Sequence, residues 1–138
     1  MTTKTLMTVT SLALGLAGVL ALFLPHELLA VLAVPLTNPL PVLVQLLGVL
    51  YLAFALTNWT AKDSAIGGVY ARPVSLGNFA HFTIGALTLA KYQLTEGLNV
   101  PLLIAFLVYA LFAIVFAWLT LVYSGVPGKR APQEKSPL

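Results

Sequence analysis

Four long apolar runs leave this chain few folds to choose from. They extend over residues 6–24, 42–61, 74–92 and 100–123, give or take a residue or two. Each holds about 17–24 residues, enough helix to cross a hydrocarbon core of roughly 30 Å. Backbone amides in lipid find no water, so such a segment closes its hydrogen bonds within itself as a helix. Hydrophobic residues make up 59% of the chain and charged residues 8%. A soluble domain carries about 25% charged residues. With so few charges the chain cannot cover a water-facing surface, and lipid is its expected solvent and first partner. The expected architecture is all-α, an integral membrane four-helix antiparallel bundle forming one domain over residues 1–138.

The first run begins after a single basic residue, Lys4. Its apolar core exceeds the ~7–15 residues of a signal-peptide core, so it reads as a retained helix. Orientation follows from the basic residues, because cytoplasmic loops collect Lys and Arg. An even number of crossings puts Lys4, Lys62, Arg72, Lys129, Arg130 and Lys135 on one side and only Lys91 on the other. The expected topology is therefore N-in and C-in, multi-pass in the plasma membrane. The tail over 126–138 then reads as a disordered cytoplasmic end. After the first span, Pro25 and Glu27 suit the first turn of a helix, so a short interfacial helix is expected from about Pro25 to Ala33.

Each span carries one small or polar stripe at helical spacing. In the second it is Gln45, Gly48, Tyr51, Ala55, Asn58 and Lys62, and in the third Asn78, His81, Gly85, Thr88 and Tyr92. The first offers Thr8, Ser11, Gly15 and Gly18, and the fourth Ala105, Tyr109, Ala113, Ala117, Thr120 and Ser124. Small faces pack against other helices in lipid, so most of these positions are explained by packing.

The stretch from Asn58 to His81 asks for more, because polar groups inside a membrane are costly. With Lys62 and Arg72 as inner boundaries, Asn58 lies ~6 Å deep, Asn78 ~9 Å, His81 ~13 Å and Tyr51 ~16 Å. If the second and third spans adjoin, Tyr51, Asn58, Asn78 and His81 line a recess open to the cytoplasm, with Lys62 and Arg72 at its mouth. Two readings stay open. The recess binds a small molecule, a lipid headgroup or a partner protein, or the polar side chains are only interhelical glue. Asp63 is expected to pair with Lys62 or Arg72.

Several chemistries are excluded. With no cysteine there are no disulfides or thiolate sites. The charge of +3 and the pI of 9.4 reflect scattered residues, not a nucleic-acid face. His26 and His81 lie at different depths, so one haem iron cannot take both. A zinc site lacks ligands. Glu27 and Glu96 lie across the membrane from Asp63, so no paired-carboxylate mechanism is available. No metal, no cofactor and no catalytic residue is assigned, and a homo-oligomer stays possible.

The segment LLGVLYLAFALTNWTAKDSAIGGVYARPVSLGNFAHFTIGAL resembles a pattern in small, uncharacterised bacterial four-helix membrane proteins. The resemblance rests on Gly48-x-x-Tyr51, Asn58-Trp59, Ile66-Gly67-Gly68-x-Tyr70, Arg72-Pro73 and Asn78-x-x-His81. It implies a bacterial inner-membrane location and no particular activity. A looser similarity in span layout is to the DoxX-like group, which implies a redox or accessory role on layout alone; in the rival, quinone-linked reading, His81 and Tyr51 would be the proton-carrying ligands.

Overall fold

A computed structural model describes residues 3–63 and 71–123. The described residues form five α-helices and no strand: α1 (Thr3–Phe23), α2 (Pro25–Val31), α3 (Leu40–Ala61), α4 (Ala71–Glu96) and α5 (Val100–Tyr123). The expected tail over 126–138 and the Ile66-Gly67-Gly68-x-Tyr70 part of the resemblance lie outside the described residues. Three helices, α1, α3 and α5, are long and apolar enough to cross a membrane. The expectation of four such helices is met by α4 in length but not in hydropathy. Arg72, Asn78, His81, Lys91, Gln93 and Glu96 dilute its 26 residues.

The exterior is the apolar side. Leu12, Phe23, Leu56, Leu87, Ile114 and Leu121 all stand exposed, which suits a surface solvated by hydrocarbon rather than water. The interior is tight and partly polar. Thr10, Asn58 and Asn78 are fully buried, as is the phenyl ring of Phe116.

Helices α1 and α3 lie against each other, and so do α4 and α5. The first pair meets at glycine. A Cβ built on Gly18 would stand 2.9 Å from the Gly48 carbonyl oxygen, and one on Gly48 would stand 2.8 Å from the Gly18 oxygen. Only bare backbone allows this approach, which recovers dispersion that lipid does not otherwise supply. Two side chains tie the pair further. Ser11 Oγ donates to the Ala55 carbonyl at 2.7 Å, and Gln45 Nε2 to the Leu22 carbonyl at 3.2 Å.

The second pair is closed by its loop. Gly97 adopts a φ of +90°, where a side chain would be strained. Gln93 and Asn99 exchange two hydrogen bonds, Gln93 Nε2 to the Asn99 carbonyl at 2.9 Å and Asn99 N–H to Gln93 Oε1 at 2.8 Å. The Asn99 side chain also accepts from the Leu102 N–H at 3.1 Å, a helix N-cap for α5. The two pairs share one core, built from Leu6, Met7, Leu14, Ala55, Phe82, Phe116 and Leu119. Phe82 stacks on both Phe112 and Phe116, with centroids 4.8 and 5.9 Å apart.

The short helix after α1 forms as expected, and its end is well defined. Ala33 N–H donates to the Ala30 carbonyl and Val34 N–H to the Leu29 carbonyl. Together with the positive φ of 56° at Ala33, this is a Schellman cap carrying alanine where glycine is usual. Its apolar Leu29 is buried, which holds α2 across the end of the α1–α3 pair.

Candidate functional site

The polar residues of α3 and α4 do not form a single recess. The structure divides them into a sealed part and an open part. In the sealed part, Asn58 and Asn78 face each other as reciprocal amides. Asn58 Nδ2 donates to Asn78 Oδ1 at 2.9 Å, and Asn78 Nδ2 donates to Asn58 Oδ1 at 2.8 Å. Each remaining amide proton goes to the carbonyl one turn back in its own helix, Phe54 at 2.9 Å and Val74 at 2.8 Å. Both side chains are 0% exposed. An amide has two donor hydrogens, and here all four are spent inside the protein. This pair reads as a clamp fixing α3 against α4, and a ligand could use it only by breaking it.

The open part lies about one turn deeper. His81, Tyr51 and Tyr109 form a hydrogen-bonded chain across three helices. Tyr109 Oη lies 3.3 Å from His81 Nε2, and it also hydrogen-bonds the Tyr51 hydroxyl. The imidazole sits among aromatic rings. Phe54 stacks on it with centroids 5.0 Å apart, and Tyr51, Phe82 and Tyr109 approach at 5.7, 5.0 and 5.4 Å. Small residues keep its surroundings open. A groove of ≈ 510 Å³ is lined by Tyr51, Phe54, Gly77, Ala80, His81, Ile84, Gly85 and Tyr109. Gly85 matters here because a Cβ at that position would collide with the Tyr109 ring.

The groove opens on the flank of the helices, not at their ends. His81 is about 15 Å along α4 from its start, and Tyr109 about 14 Å along α5, at 1.5 Å per residue. A second hollow of ≈ 350 Å³ shares Phe54 and Gly77 with the groove and lies nearer the α3 C-terminus. It is lined by Ala53, Phe54, Thr57, Pro73, Val74, Gly77 and Asn78. Among the described residues, no charged side chain lines either hollow.

The basic residues expected at a mouth stand elsewhere. Lys62 places its ammonium 3.0 Å from the centroid of the Trp59 ring, a cation–π contact at the end of α3. Arg72 is exposed at the start of α4. Asp63 pairs with neither of them. Its carboxylate meets Lys4 Nζ at 2.7 Å, joining the start of α1 to the end of α3. That hydrogen bond, with the charges of Lys4 and Lys62, holds the Asp63 carboxyl below its ordinary range. The pairing with Lys62 or Arg72 read from local sequence fails because α1 brings a third cation to the same end.

Of the six site residues expected from sequence, the structure thus brings Tyr51 and His81 together, joins Asn58 to Asn78 away from them, and leaves Lys62 and Arg72 at the margin. Tyr109 is the residue that sequence reasoning placed on a packing stripe but not in the site. Its signal was present: a phenol halfway along α5, a helix otherwise almost wholly apolar. The described residues hold no cluster of three or more His, Cys, Asp or Glu that could bind a metal ion.

No protein-family model, no curated protein and no solved structure matches the chain. Whatever is said of function therefore rests on the site itself.

Proposed function

We propose that this chain is a non-enzymatic, multi-pass protein of the bacterial inner membrane that holds a neutral, lipid-soluble small molecule at His81. The observation that carries this reading is the groove at mid-helix, where an imidazole and two phenols meet a hollow open on the helix flank. A pocket of about 300–1,000 Å³, mostly apolar with a few convergent polar groups, suits a small ligand. An ionisable side chain kept inside a membrane span is by default a candidate for function, even when it has a partner there. The ligand is neutral, because the described residues of the groove offer no Lys, Arg, Asp or Glu to offset a charge. Entry from the bilayer, and not from the cytoplasm, follows from the flank position.

In this reading α4 is the fourth crossing. Only three residues join it to α5, and the two helices lie side by side. Its polar residues find partners at matching depth, Asn78 with α3 and His81 with α5. Both termini and the α3–α4 connection then face the cytoplasm, in keeping with the bias of basic residues. The quinone-linked accessory role suggested by the looser resemblance is the second reading, and the same groove would serve it.

The chain has no cysteine, so topology can be tested with single introduced thiols. Cysteines at positions 62 and 97 should label from opposite sides of the membrane, and labelling from the same side would remove α4 as a crossing. Function is tested by purifying the protein in mild detergent and analysing the organic extract by mass spectrometry. A neutral lipid-soluble compound should accompany the native protein and be depleted in His81→Ala. A clean extract from both proteins, each folded by circular dichroism, would sink the ligand reading.

A further inference from the structure

The flank of the α1–α3 pair carries a groove of its own, of ≈ 620 Å³. It shares no lining residue with the groove at His81. Its floor is made of small side chains, Ser11, Gly15 and Ala55, and its walls include Leu12, Leu56 and Trp59. Ser11 and Ala55 are buried, whereas Leu12 and Leu56 are 63% and 67% exposed. The groove therefore opens outward, on a side of the pair that meets lipid. It extends along α3 from Leu52 to Trp59, about 10 Å at 1.5 Å per residue.

Along most of this length the groove suits hydrocarbon. The hydroxyl on its floor is already spent, because Ser11 Oγ donates to the Ala55 carbonyl at 2.7 Å. A hollow forfeits dispersion unless atoms fill it, and an apolar chain fills one walled by leucine at no cost in hydrogen bonds.

The end at Trp59 is different. The Lys62 ammonium stands 3.0 Å from the centroid of the Trp59 ring, so the ring that closes the groove also seats a cation. An ammonium has three N–H donors, and the ring face covers one side of it only. The nearby carboxylate, Asp63, is already bonded to Lys4 at 2.7 Å. Two cations and one anion leave this end of the pair with a net positive charge.

We infer that this groove is a site for an anionic phospholipid, with one acyl chain along the floor and the phosphate at Lys62. An apolar trough that ends at a seated cation is complementary to a hydrocarbon chain that ends in an anion. A zwitterionic headgroup suits the site less, because it brings a second cation towards Lys62. The inference needs only that α1 and α3, both long and apolar enough, cross the membrane. It stands apart from the ligand reading of the His81 groove.

The test is quenching of tryptophan fluorescence by brominated lipid. The chain has two tryptophans, and the second, Trp118, is exposed on α5 outside this groove. Full-length protein carrying Trp118→Phe is reconstituted in phosphatidylcholine vesicles. A minor share of the lipid is replaced by dibrominated phosphatidylglycerol or by dibrominated phosphatidylcholine, and each signal is compared with the unbrominated lipid. The Trp59→Phe protein, read at Trp118, reports ordinary boundary lipid. Trp59 should be quenched by the anionic lipid at about fivefold lower mole fraction than by the zwitterionic one, the worth of one basic side chain at an anionic surface. Trp118 should show no such preference. Lys62→Gln should abolish the preference at Trp59. Gly15→Leu, which fills the floor, should reduce quenching of Trp59 by both lipids. A Cβ on Gly15 meets only the Ala55 Cβ, at an ordinary 3.7 Å, and should the leucine variant fail to fold, Lys62→Gln decides alone. Equal preference at the two tryptophans, a preference that survives Lys62→Gln, or undiminished quenching in folded Gly15→Leu overturns the site. So does a Trp59 shielded from both lipids, the outcome expected if a second copy of the chain covers the groove.

Discussion

Asn78 and His81 lie three residues apart on one helix, and they end in opposite situations. Asn78 is fully enclosed, with every amide hydrogen spent on Asn58 or on its own helix. His81 is only half-buried and lines a groove, with Tyr109 at its Nε2. Polarity inside an apolar helix is common to both, so polarity alone does not mark a binding site. What separates them is unmet hydrogen-bonding capacity. The closed amide pair has no donor left and is sealed from any ligand, whereas the imidazole is tied at one nitrogen only and borders a hollow.

The sharpest way to break this comparison is to remove one amide. Asn58→Leu leaves Asn78 with a donor and an acceptor enclosed in protein and no partner. An unsatisfied buried polar group costs about 1–3 kcal/mol, so a loss of that order is expected in thermal or denaturant unfolding in detergent. Asn78→Leu should cost about the same. The double variant should cost clearly less than the two singles added, because nothing is then stranded. Full additivity would mean that the two amides do not act as a pair. His81→Ala should destabilise less than either single change, since Tyr109 still has Tyr51 as a partner.

A slightly smaller effect is expected where the groove itself is filled. Gly85 leaves the Tyr109 ring room to lie across α4, and an added methyl would collide with that ring. Gly85→Ala should therefore displace Tyr109 and stretch its bond to His81. Overpacking of this kind costs about 1–3 kcal/mol, near the lower end here because the ring borders an open groove. Ligand retention should fall with it. If Gly85→Ala kept the ligand at native level while His81→Ala lost it, the Tyr109 link would be dispensable for binding.

How much of this was legible in the sequence depends on the range of the contact. The helices follow from apolar runs and from Pro and Gly at their ends, so α1, α3 and α5 could be read with little error. The stripe on α3 was also readable, since Gly48, Ala55 and Asn58 are all buried. On α4 it failed towards the C-terminus. Thr88 and Tyr92 are exposed, and Phe82 and Ala86 take the core face instead. Small or polar character predicts an interface only where the neighbour is also small, and α4 meets α5 through stacked phenyl rings. The pairings Asn58–Asn78, Tyr109–His81 and Lys4–Asp63 join different helices. No spacing along one helix can reveal which partner a side chain finds on another. The sequence therefore offered the right polar residues in α3 and α4 but grouped them into one recess.

The pair Lys4–Asp63 extends the comparison to water, where a polar contact should matter least. Both side chains are largely exposed, at 66% and 62%, so solvent and salt screen their attraction. The hydrogen bond from Lys4 lowers the Asp63 pKa from its ordinary value of 3.8. A carboxyl whose folded pKa is depressed binds a proton more readily when unfolded. Its contribution to stability is therefore present above the unfolded pKa and is lost as pH falls through the folded one. The window lies below about pH 4, the unfolded carboxylate range. Between pH 5 and pH 3 at low salt, native protein should lose slightly more thermal stability than Asp63→Asn, in which the group cannot titrate. Raising the salt should narrow that difference, because exposed charges are screened within a Debye length of roughly 10 Å at 0.1 M. Identical pH profiles for the two proteins at low salt would show that the ion pair does not hold α1 to α3 in solution. The amide pair, enclosed and uncharged, should show neither the pH nor the salt dependence.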